Sequence, residues 1–442
     1  MARPAPEQLS AALKAGAESE KERAIPARPA EAAPAVRPGV ALCLSGGGFR
    51  AALFHLGALR RLNELRVLSR VTHISAVSGG SILAAHLARA VERWPEPGQK
   101  IEAWDERVAE PFKAFVRRDL RTWPILARWL LPWNWFRTDT SVQLLAGRYQ
   151  ERLRLGPLAE LPARPAFVFC ATDMVFGVNW EFRGDKVGDY LAGYLRPAGP
   201  DWTVARAVAA SSCFPPVFPP LVLRFRPGEL SGGRFPEGPE HDALVARLRL
   251  TDGGVYDNLA IEPVWGGQGP GTLLVSDGGG RLWTDPAGTV WRQITRYMSI
   301  VANQTGALRR RWLIASYKAG QLRGAFWGIS SAVSSYEGHK DPPEQPGRPG
   351  YSKDFASTRI AAIRTDMDGF TPEEIAILEN HGYTLADAAI QTHAAELKGD
   401  TTDPLTVLHD TLLRDERAAE AALADSDRRV SLRRMWRQLT SG

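Results

Sequence analysis

Cysteine is scarce in this chain. Cys43, Cys170 and Cys213 are the only three in 442 residues, and each lies in an apolar or strand-like run. An odd, scattered set excludes a disulfide framework and a zinc site built on cysteines, and it points to a reducing compartment. Long apolar runs are missing too. No stretch reaches the roughly 18 residues that a spanning helix needs, and residues 1–38 hold no apolar segment of signal-peptide type. These absences place the protein in the cytoplasm, at or near a membrane surface. There is no acidic excess: 55 Lys and Arg outweigh 49 Asp and Glu, for a net charge of +6 and a pI near 9.3. That bias favours an anionic partner, a membrane surface or nucleic acid. No internal repeat is visible, which excludes solenoids and propellers.

What is present reads as an ordinary globular chain, 44% apolar and 24% charged, with one large domain and appendages. Residues 1–38, rich in Ala, Pro, Glu and Arg, have little to bury and read as a disordered segment. At Val40 the character changes. "VALCLS" predicts a strand; a glycine cluster follows, and Leu53, Leu56, Leu59 and Leu62 mark a helix to about Glu64. "THISAVSGGSILAAHLA" repeats the pattern, with Ser78, Gly79 and Gly80 between strand and helix. Further strands are expected at "AFVFCATD", "LRLTDGG" and "TLLVSDGGG". Strands alternating with helices predict an α/β fold with a mostly parallel, covered sheet. Residues 226–240 and 331–357 read as surface loops. Thr371 with Glu374 forms a capping-box pattern that starts a helix.

Two strand–turn–helix units sit close in sequence, and their chemistry is complementary. Gly46, Gly47 and Gly48 bring backbone N–H groups and a helix N-terminus to one point, a ready anion site. A Walker A loop is excluded by Phe49 and Arg50, which stand where Lys and Ser/Thr belong. A dinucleotide-binding oxidoreductase would fit Gly46, Gly48 and Ala51, yet the second strand ends in serine instead of the acid that holds a ribose. The remaining use is an oxyanion hole beside Ser78, with Gly79 N–H as a further donor. A serine nucleophile needs a base. His73, His339, His381, His393 and His409 are poorly placed for that work. Asp252 in "LTDGGVYDN" and Asp277 in "VSDGGG" are each a carboxylate at a strand end followed by glycines, so either can approach a serine closely.

The glycine triplet with Arg50, the serine in "AVSGGS", and the segments "AASSCFPPVFPP" and "DGGVYDNLAIEP" together resemble the patatin-like phospholipases. "ATDMVFGVNWEF" and "NHGYTLADAA" look like lesser landmarks of that family. The resemblance implies a three-layer α/β/α domain over residues 39–397, followed by a helical basic tail, 398–442. It implies a Ser–Asp dyad and hydrolysis of fatty-acyl esters of phospholipids or lysophospholipids through an acyl-enzyme, with no cofactor and no metal. By position, Ser78 is the nucleophile, Asp252 the base, Gly46, Gly47 and Gly48 the oxyanion loop and Arg50 its support. Asp277 is then a later strand end. Two positions depart from the family pattern: Ala76 stands for the first glycine of G-x-S-x-G, and Ala51 for the glycine after the arginine. They keep a rival reading in view, a catalytically weak membrane-docking protein on the same fold.

The implied partners are membrane phospholipid as substrate and an anionic membrane surface, with no nucleic acid. An unidentified activator or a homo-oligomer stays open. "RTWPILARWLLPWNWF" supplies Trp123, Trp129, Trp133 and Trp135 near Arg117, Arg118, Arg121 and Arg137, a composition suited to a lipid interface or to a lid. The end, "DRRVSLRRMWRQL", predicts a basic amphipathic helix with Leu432, Met435, Trp436 and Leu439 on one face. The localisation expected from all this is cytoplasmic and peripheral at the membrane.

Overall fold

Every residue of the first strand is buried, as a continuous apolar run demands when a sheet is covered on both faces. The computed structural model describes residues 37–119, 140–215, 218–265, 269–280, 290–336, 348–401, 403–424 and 426. The strands are β1 (Val40–Leu44), β2 (Val71–Val77), β3 (Ala166–Asp173), β4 (Asn179–Phe182), β5 (Val187–Asp189), β6 (Gly193–Leu195), β7 (Leu221–Leu223), β8 (Leu248–Asp252), β9 (Thr272–Asp277) and β10 (Arg323–Gly328). They form one sheet in the order β10-β9-β1-β2-β3-β4-β5-β6, with β8 pairing both β3 and β7. The run from β10 to β3 is parallel. The strands from β4 to β8 join antiparallel.

Six helices position the site: α1 (Gly48–Glu64), α2 (Gly79–Ala90), α3 (Val204–Ser211), α4 (Gly254–Asp257), α5 (Val290–Lys318) and α6 (Pro372–His393). Alternate residues of β1 face opposite sides, as a period of two requires. Leu42 and Leu44 join the large core with Phe49 and Leu53 of α1, Ile82 of α2 and Ile377 of α6. Ala41 and Cys43 join a smaller one with Leu313 of α5 and with Leu259, Ile261 and Val264. The result is a mixed α/β fold of three layers around a mostly parallel sheet. All three cysteines are buried and unbridged.

The capping box expected at Thr371 is present. Thr371 Oγ1 accepts the Glu374 N–H at 3.3 Å, and Glu374 accepts the Thr371 N–H at 2.8 Å. Glycine lets α6 lie directly on α1: a side chain at Gly57 would meet the Glu379 carbonyl, and one at Gly382 the Phe54 carbonyl. Beyond Leu397 the chain packs back on α6. Asn380 and the His409 backbone exchange two bonds, and Ser426 Oγ donates to Glu374 at 2.6 Å.

Three of the strands expected from sequence form β3, β8 and β9, but β8 runs antiparallel to β3, where a parallel strand was the simpler expectation. The meander β4 to β6 and strand β10 went unread. β4 to β6 span only three or four residues each, and β10 is interrupted by Gly324 and ends on Gly328, so neither a long run nor clean alternation marks them. Trp123, Trp129, Trp133 and Trp135, and the basic helix expected near the end, lie outside the described residues.

Candidate active site

The reversal of β8 brings Ser78 and Asp252 together. β2 and β8 share one edge of β3 but run toward each other. Val77 stands opposite Cys170, and Asp252 stands opposite the next residue, Ala171. Ser78 follows Val77 directly, so the two strand ends meet head on. β1 and β2 are parallel neighbours with Leu44 against Ala76. Their following turns therefore leave the sheet at the same edge, which sets the Gly46–Gly48 loop beside Ser78. The contact is close enough that a side chain on Gly79 would strike the Gly48 carbonyl.

Ser78 has φ 51° and ψ −117°, a backbone state that residues with a Cβ rarely adopt. A strand that stops there turns sharply into α2 and lifts its serine off the sheet edge. Ser211 holds the turn. Its hydroxyl accepts the Ser78 N–H at 2.9 Å and donates to the Cys170 carbonyl at 2.6 Å. One hydroxyl has one proton, so Ser81, at 2.8 Å from Ser211 Oγ, is the donor in that pair. The Ser211 carbonyl also accepts the Gly253 N–H at 3.2 Å. One residue at the end of α3 therefore ties the serine turn to the aspartate turn.

Gly46 is not an available donor, contrary to the expectation for it. Its N–H is spent on the Asn258 carbonyl at 3.0 Å. Its lack of a side chain is what the site uses: a Cβ there would press on Ser78 Cβ at 3.2 Å and collide with Asn258 Oδ1. Among the hydrogen bonds of the described residues, none is donated by the N–H of Gly47, Gly48 or Gly79. Gly48 and Gly79 open α1 and α2, where N–H groups have no partner within the helix. All three glycines lie in the two turns that flank Ser78.

Asp252 is 2% exposed. Its Oδ1 accepts the Gly254 N–H at 2.7 Å, while Oδ2 is buried with no partner in hydrogen-bond geometry. Burial pushes the carboxyl up to about 7, against the Gly254 N–H and the Ser78 hydroxyl, which pull it down. The Thr172 hydroxyl donates to the Asp252 carbonyl at 2.8 Å and accepts the Tyr256 N–H at 3.2 Å, fixing the turn.

Asp277 is differently employed. Its Oδ1 accepts the Gly279 N–H at 2.9 Å, and its Oδ2 pairs with Arg310 at 3.2 Å. Arg50 is buried and gives its guanidinium to three carbonyls: Gly278, Ala361 at 2.9 Å and Ile363 at 2.8 Å. Burial lowers its pKa to about 10. A Cβ on Gly47 would lie 3.0 Å from the Gly278 carbonyl, so Arg50 braces the wall behind the glycine loop.

The histidines are occupied elsewhere. His55 Nε2 donates to the Ser45 carbonyl at 3.0 Å, which makes Nδ1 the acceptor for Ser276 Oγ at 2.7 Å. His381 Nε2 donates to the Ile329 carbonyl at 2.8 Å. Burial lowers both rings to about 4. His73 bonds Thr72 and His409 bonds Glu379, and the His393 ring stacks edge-on to Tyr336. His339 lies outside the described residues. Ala76 is buried within β2, and the Ala51 Cβ sits near Gly47 and Gly278.

Reasoning from sequence missed Ser211, Thr172 and Asn258. Ser211 lies inside "AASSCFPP" and Asn258 inside "DGGVYDN", but what each touches depends on pairing across β3. Asp257 was missed as well. Its carboxylate accepts the N–H groups of Leu259, Ile261 and Glu262 and lies 3.6 Å from Arg309. Among the described residues no three His, Cys, Asp or Glu side chains cluster as metal ligands would, and no helix is long and apolar enough to cross a membrane.

Comparison with known proteins follows this geometry. The patatin-like phospholipase model matches residues 42–265. Human GIVD cytosolic phospholipase A2 is similar at 15% identity over 89% of this chain and 64% of that one, with a TM-score of 0.44. VipD from Legionella pneumophila is similar at 14% identity over 81% of this chain and 67% of that one, with a TM-score of 0.31. A curated protein, the photosystem II assembly lipoprotein Ycf48 of Synechococcus sp. (strain RCC307), is 33% identical over 143 residues. That match spans 31% of this chain and 37% of the lipoprotein.

Proposed function

The chain belongs to the patatin-like phospholipase family, and on that premise we propose that it is a serine lipid acyl hydrolase working through Ser78 and Asp252. The supporting observation is the head-on meeting of β2 and β8. It sets a serine with a left-handed backbone beside a buried carboxylate that the Ser78 hydroxyl helps to ionise. Asp252 takes the Ser78 proton as the hydroxyl oxygen attacks the ester carbonyl. The N–H groups of Gly47, Gly48 and Gly79 receive the negative charge that develops on the carbonyl oxygen. The tetrahedral intermediate collapses, the alcohol leaves with the proton held by Asp252, and an acyl group remains on Ser78. Water then attacks the acyl-enzyme with Asp252 again as base, releasing fatty acid. The substrates are fatty-acyl esters of phospholipids or lysophospholipids, and the protein works while bound peripherally to a membrane.

A fluorophosphonate probe tests the assignment. It should label wild type at Ser78 and leave Ser78→Ala unlabelled at an unchanged thermal midpoint. Labelling that survives the substitution would refute the nucleophile. Turnover of a short-chain ester should persist in excess chelator, since no step calls for a metal; loss on chelation with recovery on adding metal would require another mechanism.

A further inference from the structure

Eight large apolar side chains are exposed among the described residues, and five of them lie on α5: Tyr297, Met298, Ile300, Val301 and Leu308. At about 100° per residue, Tyr297, Ile300, Val301 and Leu308 fall within an arc of about 100°. The face that α5 packs on the body is a different one. It carries Leu313 and Tyr317, both packed in or against the smaller core and about 100° or more around the helix from those four side chains. Tyr297 and Val301 are 64% and 66% exposed, in a fold whose other large apolar residues are mostly covered. A patch of this kind marks a binding surface.

The charge of α5 narrows the choice of partner. Its sequence, VWRQITRYMSIVANQTGALRRRWLIASYK, contains no Asp or Glu and carries Arg292, Arg296, Arg309, Arg310, Arg311 and Lys318. A helix that is basic and apolar together suits a surface offering hydrocarbon and negative charge. A second copy of the chain would bring a like-charged helix against it in a two-fold contact.

Position narrows it further. Arg309 bonds Glu262 at 3.0 Å and the Tyr256 carbonyl at 3.3 Å, in the turn that follows Asp252, and Arg310 bonds Asp277. The other three exposed apolar residues sit near the same site. Val255 lies in the turn after Asp252, Phe214 just beyond Ser211, and Met174 directly after β3.

The geometry points to α5 as the element that lies on an anionic lipid surface, holding the Ser78 site over the bilayer from which acyl chains are drawn. This rests on the lipid-hydrolase reading for its purpose but not for its test. The probe is flotation with vesicles, either neutral phosphatidylcholine or the same lipid with added phosphatidylglycerol. The protein carries Ser78→Ala, so that binding is read without chemistry. Binding should be stronger on anionic vesicles. The triple variant Tyr297→Ser, Val301→Ser, Leu308→Ser should lose about 10- to 100-fold in affinity while keeping its thermal midpoint. On an active background the same triple variant should hydrolyse a soluble short-chain ester as wild type does. Vesicle binding unchanged by the triple variant overturns the proposal. So does a dimer that the triple variant dissociates, because the face is then a contact between copies. If no ester is hydrolysed yet the flotation result holds, the hydrolase reading has failed and the lipid surface stands.

Discussion

A carboxyl buried beside a serine needs compensation to ionise, and Asp252 has the Gly254 N–H and the Ser78 hydroxyl to provide it. An asparagine at this position keeps the size and a hydrogen bond but cannot accept a proton. Asp252→Asn should therefore lower turnover of a soluble ester by about 10²–10⁴-fold. Asp277→Asn should leave it within a few-fold, because Asp277 is engaged by Gly279 and Arg310. Thermal midpoints no lower than that of wild type must be checked first; a dead Asp277→Asn beside an active Asp252→Asn would move the base to β9. The types of the proposed reacting groups and their glycine neighbours stand out in the sequence, because a nucleophile, a base and a close backbone approach each demand particular residues. The spent N–H of Gly46 and the tie made by Ser211 were not legible, because both depend on which strands are neighbours. Ser211→Ala removes the acceptor for the Ser78 N–H. It should lower kcat about tenfold with KM little changed, measured on a soluble ester. A rise in KM at constant kcat would mean that Ser211 shapes the substrate cleft instead of the nucleophile.

Among the elements, those with a strong period were read correctly. The leucines of α1 and the capping box of α6 carry their own local signal, and the buried runs of β1 and β9 could hardly be anything but covered strands. Strand β8 was found but its direction was not, since "LRLTDGG" reads alike for a parallel and an antiparallel neighbour. That direction decides the site, for only an antiparallel β8 ends facing β2. Nothing in the local sequence of α1 or α6 reveals that they meet glycine to backbone. The contact predicts a substitution effect. A methyl at position 382 would lie inside the van der Waals shell of the Phe54 carbonyl, and backbone on both sides leaves little room to yield. Gly382→Ala should destabilise the fold by about 1–3 kcal/mol, seen as a lower urea midpoint, with activity per folded molecule retained. A variant as stable as wild type would show that the two helices slide apart without cost.

For the whole molecule, buried titratable groups set stability and activity against each other along the pH axis. His55 and His381 are held near 4 in the fold, against about 6.5 unfolded. Their contribution to stability is complete above pH 6.5 and is lost as pH falls toward 4. Asp252 and its like act in the opposite sense. Burial raises Asp252 to about 7 and moves Asp173, Asp189 and Asp277 upward as well. A raised carboxyl favours the fold fully below its unfolded value, near 4, and that contribution is lost as pH climbs through the folded one. His73, His86, Asp105, Glu379 and Asp403, all lowered, join the two histidines in favouring higher pH, while for Asp252 that loss falls between about pH 4 and 7. Turnover runs the other way, because Asp252 must be ionised to take the Ser78 proton, and kcat/KM should rise with a midpoint near 7. The ionised Asp252 that turnover needs is thus the form that burial disfavours, a common trade at sites that hold a buried charge. Thermal midpoints and ester turnover measured across pH 4.5–9 would test this directly. Asp252→Asn should exceed wild type in thermal midpoint at pH 8 by more than at pH 5, since the amide never ionises. No gain from the amide at pH 8 would mean that Asp252 is ionised at little cost in the fold and owes its reactivity to something other than burial.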